Sequence, residues 1–110
     1  MSTVRDSGTL TSTVTTEQTL STQSTDVGTV WPAIDCVNLT AGNYVIVKVK
    51  TKPLSGGTTR TEEVKVYSWL AAAVCPILEM KPIISNQEYV LTIQHNVATS
   101  TAFPWKIMSP

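Results

Sequence analysis

The sequence predicts an all-β domain, an antiparallel β-sandwich or compact barrel of about seven or eight short strands with an extended N-terminal arm. Three observations carry this reading. Apolar and polar residues alternate over short stretches, turn-prone residues recur about every eight to twelve positions, and no stretch sustains the 3.6-residue apolar period of an amphipathic helix. At 110 residues the chain has the size of one domain. The expected division is an arm over residues 1–14 and a single β domain over residues 15–110.

Residues 1–8 carry little to bury and are expected to be disordered or held only by a neighbour. Thr9-Leu10-Thr11-Ser12-Thr13-Val14 is β-branched and hydroxylated, and reads as an edge strand or extended arm whose main chain can add to a partner's sheet. Glu17 to Thr22 is a second weak strand, followed by a turn-prone segment at Ser24-Thr25-Asp26-Val27-Gly28. In Thr29 to Cys36, Pro32 cannot donate to a ladder and places its strand at an edge or a bulge. Asn38 to Asn43 is a polar turn containing Gly42.

The strongest strand spans Tyr44 to Thr51, with Val45, Val47 and Val49 on one face and Ile46, Lys48 and Lys50 on the other. A Pro- and Gly-containing loop from Lys52 to Thr59 leads into Arg60 to Leu70, where Val64 and Val66 alternate with Lys65 and Tyr67. These two strands make a hairpin whose polar face sets Lys48 and Lys50 across from Glu62 or Glu63. The Ala run in Trp69 to Pro76 favours a loop or one helical turn, ended by Pro76. Ile77 to Ile84, cut by Pro82, suits a strand that changes direction. Glu88 to Gln94 places Tyr89, Leu91 and Ile93 on one face, and Thr101 to Met108 closes the chain with Phe103, Trp105 and Ile107 in register.

Charge and motif content exclude several kinds of function. Lys plus Arg balance Asp plus Glu at 8 each, so the basic face of a nucleic-acid binder is missing and no nucleic-acid partner is expected. The polar start and the short apolar runs predict a soluble protein made in a cytoplasm, without a membrane partner. Cys36 and Cys75 lie 39 positions apart without CxxC spacing, which predicts buried reduced thiols, with a disulfide between them as the alternative, and no metal site. His95, the single histidine, falls in a turn after a strand and gives no catalytic constellation, so it reads as a surface or loop residue. Glu62 and Glu63 are neighbours on a strand, point opposite ways and read as solvated.

Gly56-Gly57 joins two strands and is a hairpin loop rather than a phosphate loop, and Asn38-Leu39-Thr40 matches the glycosylation pattern by chance. No catalytic residue, cofactor or metal is therefore expected, and the chain reads as a non-enzymatic binding and assembly protein. Its candidate partner-binding residues are Thr9, Leu10, Thr11 and Val14 in the arm, with Trp31 beside Pro32 and Trp105 beside Pro104.

The features Gly8-Thr9-Leu10, Thr16-Glu17-Gln18-Thr19-Leu20, Leu39-Thr40-Ala41-Gly42, Lys50 to Thr58 and Ala102-Phe103-Pro104-Trp105 occur in an order that resembles small virion proteins encoded among the head genes of tailed bacteriophages. The similarity is one of layout and spans most of the chain. It implies a capsid decoration (cement) protein, a homotrimer on the virion's capsid surface that binds the major capsid protein. A neck, tail or fibre component fits the same composition. A carbohydrate-binding β-sandwich is a further alternative and would use Tyr67 and Trp69, on one strand face, as its aromatic strip.

Overall fold

Val45, Val47 and Val49 are each fully buried, and one sheet of the molecule is organised around the strand that carries them. The computed structural model describes residues 3–12, 15–23, 28–52, 58–85, 88–96 and 101–110. Among them the strands are β1 (Thr3–Ser12), β2 (Gln18–Gln23), β3 (Gly28–Asp35), β4 (Tyr44–Lys52), β5 (Arg60–Ser68), β6 (Ile77–Glu79), β7 (Ile83–Ser85), β8 (Glu88–His95) and β9 (Thr101–Ser109). A short helix, α1 (Trp69–Val74), follows β5.

The fold is an antiparallel β-sandwich. One sheet has the order β1-β9-β3-β6, with β7 also on β3, and the other has the order β2-β8-β4-β5. The sheets stack with β1 over β2 and β6 over β5. On the first flank the Asp6 carboxylate accepts from Ser21 Oγ at 2.5 Å, and on the second Lys65 Nζ donates to the Glu79 carbonyl at 3.1 Å. Between the sheets, Tyr89, Leu91 and Ile93 of β8 pack with the β4 valines against Val30 and Ile34 of β3 and Phe103 and Ile107 of β9. All of these are at most 1% exposed. Gly42 has a φ of +81°, as the four-residue turn closed by Asn43 N–H on the Thr40 carbonyl requires at its third position.

Several expectations are corrected. Residues 3–8 are neither disordered nor held by a separate partner, because β1 pairs with β9 from Thr3 to Ser12 as an edge strand of the domain's own sheet. A ladder satisfies main-chain donors whatever the side chains are, so sparse hydrophobicity did not exclude it. For Pro32 the second of the two expected places holds, since it lies in an inner strand and at a bulge rather than at an edge. Its carbonyl accepts from Met80 N–H, so its nitrogen faces the break between β6 and β7, where two residues of β3 stand opposite Met80, Lys81 and Pro82. The segment 77–85 thus does not change direction; it is one strand interrupted by a one-residue slip, both parts antiparallel to β3.

The β4–β5 hairpin forms, with β5 in the opposite phase to its valine pattern. Val49, Val47 and Val45 stand opposite Glu63, Lys65 and Tyr67, so these three turn inward and Val64 and Val66 are left 51% and 61% exposed outside. Lys48 and Lys50 consequently reach across the sheet to Glu17, at 3.8 and 3.1 Å, and not to Glu62 or Glu63. The Ala run forms a six-residue helix. Ser68 caps it by accepting from Ala71 N–H at 3.4 Å, and Cys75, extended ahead of Pro76, ends it.

Candidate assembly surfaces

On the outer face of the β1-β9-β3-β6 sheet, the ladder sets Ser7 opposite Lys106, Thr9 opposite Pro104, Thr11 opposite Ala102, and Ala33 opposite Glu79. Trp31 stands opposite Met108, and Asp35 opposite Ile77. Side chains of directly opposed residues project to the same side, so all of these share the outward face that alternates with buried Phe103, Ile107, Val30 and Ile34. A groove of about 450 Å³ crosses this face. Ala33, Ile77 and Pro104 supply its apolar surface, and Asp35, Glu79 and Lys106 its charged groups.

The sequence-predicted partner residues divide between this face and the core. Thr9 and Thr11 are exposed on it, and Trp31 is half-buried on it. Leu10 and Trp105 point the other way and pack against the core. Trp105 lies over Gly8, where an added Cβ would come within 3.1 Å of the indole. Val14 lies outside the described residues, as does the Gly56-Gly57 loop. Ile77, 42% exposed, was missed as a surface residue because an apolar triplet beside a proline carries no sign of which face it takes.

A second apolar area lies on the other sheet's outer face, where Val64 and Val66 stand opposite Lys48 and Ile46. A third is at the end carrying α1. Leu70 and Val74 are 70% and 88% exposed there, with Val37 at 61%.

His95 is 1% exposed, with its ring centroid 5.3 Å from that of Phe103. It is not the surface residue expected, because β8 runs on to residue 95 and its alternation turns that position inward. Glu62 accepts from Thr51 Oγ1 at 2.5 Å, whereas Glu63 turns to the interior near Tyr89, so the two are not both solvated. Burial, with the Glu63 charge adding to it, pushes the Tyr89 phenol up.

Cys36 is buried and its thiol is pushed up to about 12 by desolvation, with the Asp35 charge second. Cys75 is exposed, against expectation. The β3–β6 register explains the difference, since Cys36 N–H bonds the Pro76 carbonyl and adjacent Cys75 therefore falls on the opposite face. Tyr67 donates to the Cys75 carbonyl, and both Tyr67 and Trp69 pack against the core, so they form no exposed aromatic strip. Among the described residues no group of three or more His, Cys, Asp or Glu could hold a metal ion, and no helix is long and apolar enough to cross a membrane.

Comparison with known proteins finds no matching family model, no matching curated protein and no matching solved structure.

Proposed function

We propose that this chain is a non-enzymatic structural protein of a tailed-phage virion, a decoration protein that binds the major capsid protein on the capsid surface. The observation that carries the reading is the outer face of the β1-β9-β3-β6 sheet. Trp31, Ile77 and Pro104 give it apolar surface beside the hydroxyls of Ser7, Thr9 and Thr11, and its charges, Asp35, Glu79 and Lys106, are of both signs. A rigid sheet face that carries an aromatic suits a flat protein partner, since large rigid side chains bury much area for little lost side-chain entropy. The layout resemblance to small phage head proteins supplies the partner class. The sugar-binding alternative is not carried forward, because Tyr67 and Trp69 are committed to the core.

The test is co-sedimentation of the purified chain with empty capsids of the phage that encodes it. Saturable binding is expected, weakened at least tenfold by Trp31→Ala together with Ile77→Glu. Binding to isolated tails but not to shells would move the protein to a neck, tail or fibre position. Binding to neither sinks the virion reading.

A further inference from the structure

The two flanks of the sandwich are built differently. On one of them β5 turns Glu63 and Lys65 inward and is bulged at Glu62, while β6 and β7 have three residues each and are separated by the stretch containing Pro82. Inward charges, bulges and short strands are the means by which natural sheets prevent their edges from pairing. The other flank, where β1 lies over β2, has bulges at Arg5 and Leu20 and turns Asp6 inward, but it keeps one long regular run. Its β1 register with β9 is unbroken over residues 6–12, a run that contains no Lys and no Pro. Among the described residues β1 has a strand on one side only.

We propose that this flank docks against the same flank of a second copy, β1 against β1 and antiparallel, about a two-fold axis perpendicular to the sheets. The stacking identifies the occupant. Asp6 accepts from Ser21 Oγ at 2.5 Å and from Gln23 Nε2 at 3.4 Å, so the edges of β1 and β2 lie one above the other. One two-fold rotation brings β1 to β1 and β2 to β2 together, extending both layers, whereas a single extended peptide would extend only one. Charge permits it as well. The chain has a formal net charge of zero, and the only charge in residues 6–12 is Asp6, already engaged by Ser21 and Gln23. Exposed Thr9 and Thr11 suit the Thr–Thr cross-strand pairs that such a ladder makes.

Two edges bury less than the roughly 1,600 Å² of a standard interface, so the dimer forms and dissociates with concentration. The symmetry is two-fold, where the resemblance to decoration proteins implies a trimer.

The test is the solution mass of the purified full chain by light scattering across a dilution series. The mass should rise from one chain of 11.9 kDa to two. Thr9→Lys combined with Thr11→Lys should hold the protein at one chain where the parent is dimeric, and Val66→Lys on the opposite flank should leave the dimer intact. A single chain at every concentration, a trimer, or a dimer lost in Val66→Lys and kept in the double variant each overturns the proposal. Where circular dichroism shows the double variant unfolded, amide hydrogen exchange of the parent decides instead. β1 protection that rises with concentration supports the dimer, and unchanged protection overturns it. No capsid is present in this experiment, so its failure is separate from failure of shell binding.

Discussion

At the scale of single residues, the two cysteines and Glu17 have properties that follow from their ladder positions. Cys36 is buried with its thiol pushed up to about 12, and Cys75, one ladder step away on the opposite face, is exposed. Because the thiolate is the reactive form, a thiol reagent at neutral pH should modify one cysteine in the folded protein and two in denaturant. Mass spectrometry counts the adducts, and fast labelling of both in the native state would contradict the burial of Cys36. Glu17 accepts from Thr92 Oγ1 at 2.8 Å and pairs with Lys50 and Lys48. The Thr92 bond first, and then the two lysines, hold its carboxyl below the usual range, against an opposing effect of burial. A depressed folded pKa gives stability that is complete above the ordinary carboxylate range and is lost as pH falls through the folded value. Glu17→Gln should therefore lower stability by a few tenths of a kcal/mol at neutral pH, the size expected of a partly exposed pair, and should have no effect near pH 2. Thermal melts of the two proteins over that pH range measure it.

At the scale of elements, alternation made the strands legible and left the phase of one of them open. Val45, Val47 and Val49 point to the core as their pattern requires, and so do Tyr89, Leu91 and Ile93. Val64 and Val66 have the same period in β5 and point outward, because pairing with β4 sets Glu63, Lys65 and Tyr67 on the inner side. Period is local, whereas phase depends on the partner strand's register and on the bulge at Glu62, neither of which is visible within β5 itself. The same limit divided the candidate site. Thr9, Thr11 and Trp31 were recognised and reach the outer face, while Leu10 and Trp105 fall on alternate positions that the β1–β9 pairing turns inward. The two classes of apolar residue are separable by truncation. Leu91→Ala, at a fully buried position, should cost about 2–5 kcal/mol, and Val66→Ala, at an exposed one, no more than about 0.5 kcal/mol. Equal losses in urea denaturation would mean that β5 packs its valines inward after all.

At the scale of the whole molecule, the N-terminal residues decide between an arm and a structural strand. An arm would be dispensable for folding. β1 instead covers one side of β9, the strand that delivers Phe103 and Ile107 to the core, both with no exposed surface. It also contributes Leu10 to the core's margin and gives Trp105 a seat over Gly8. Through Asp6, it ties the edge of one sheet to Ser21 and Gln23 on the other. Deleting residues 1–14 would remove all of these at once and leave β9 as a new edge above an opened core. A domain of this size has a total stability of about 5–15 kcal/mol, and losing an outer strand with its buried contacts takes several of those. The deletion should therefore leave the chain unfolded or reduce its urea midpoint by half or more, with ordered near-ultraviolet dichroism weakened as Trp105 loses its packing. A truncated chain with the parent's midpoint and spectrum would show instead that β1 is attached without being needed. The dimer proposed through its outer edge would then have to be tested on a strand the domain can do without.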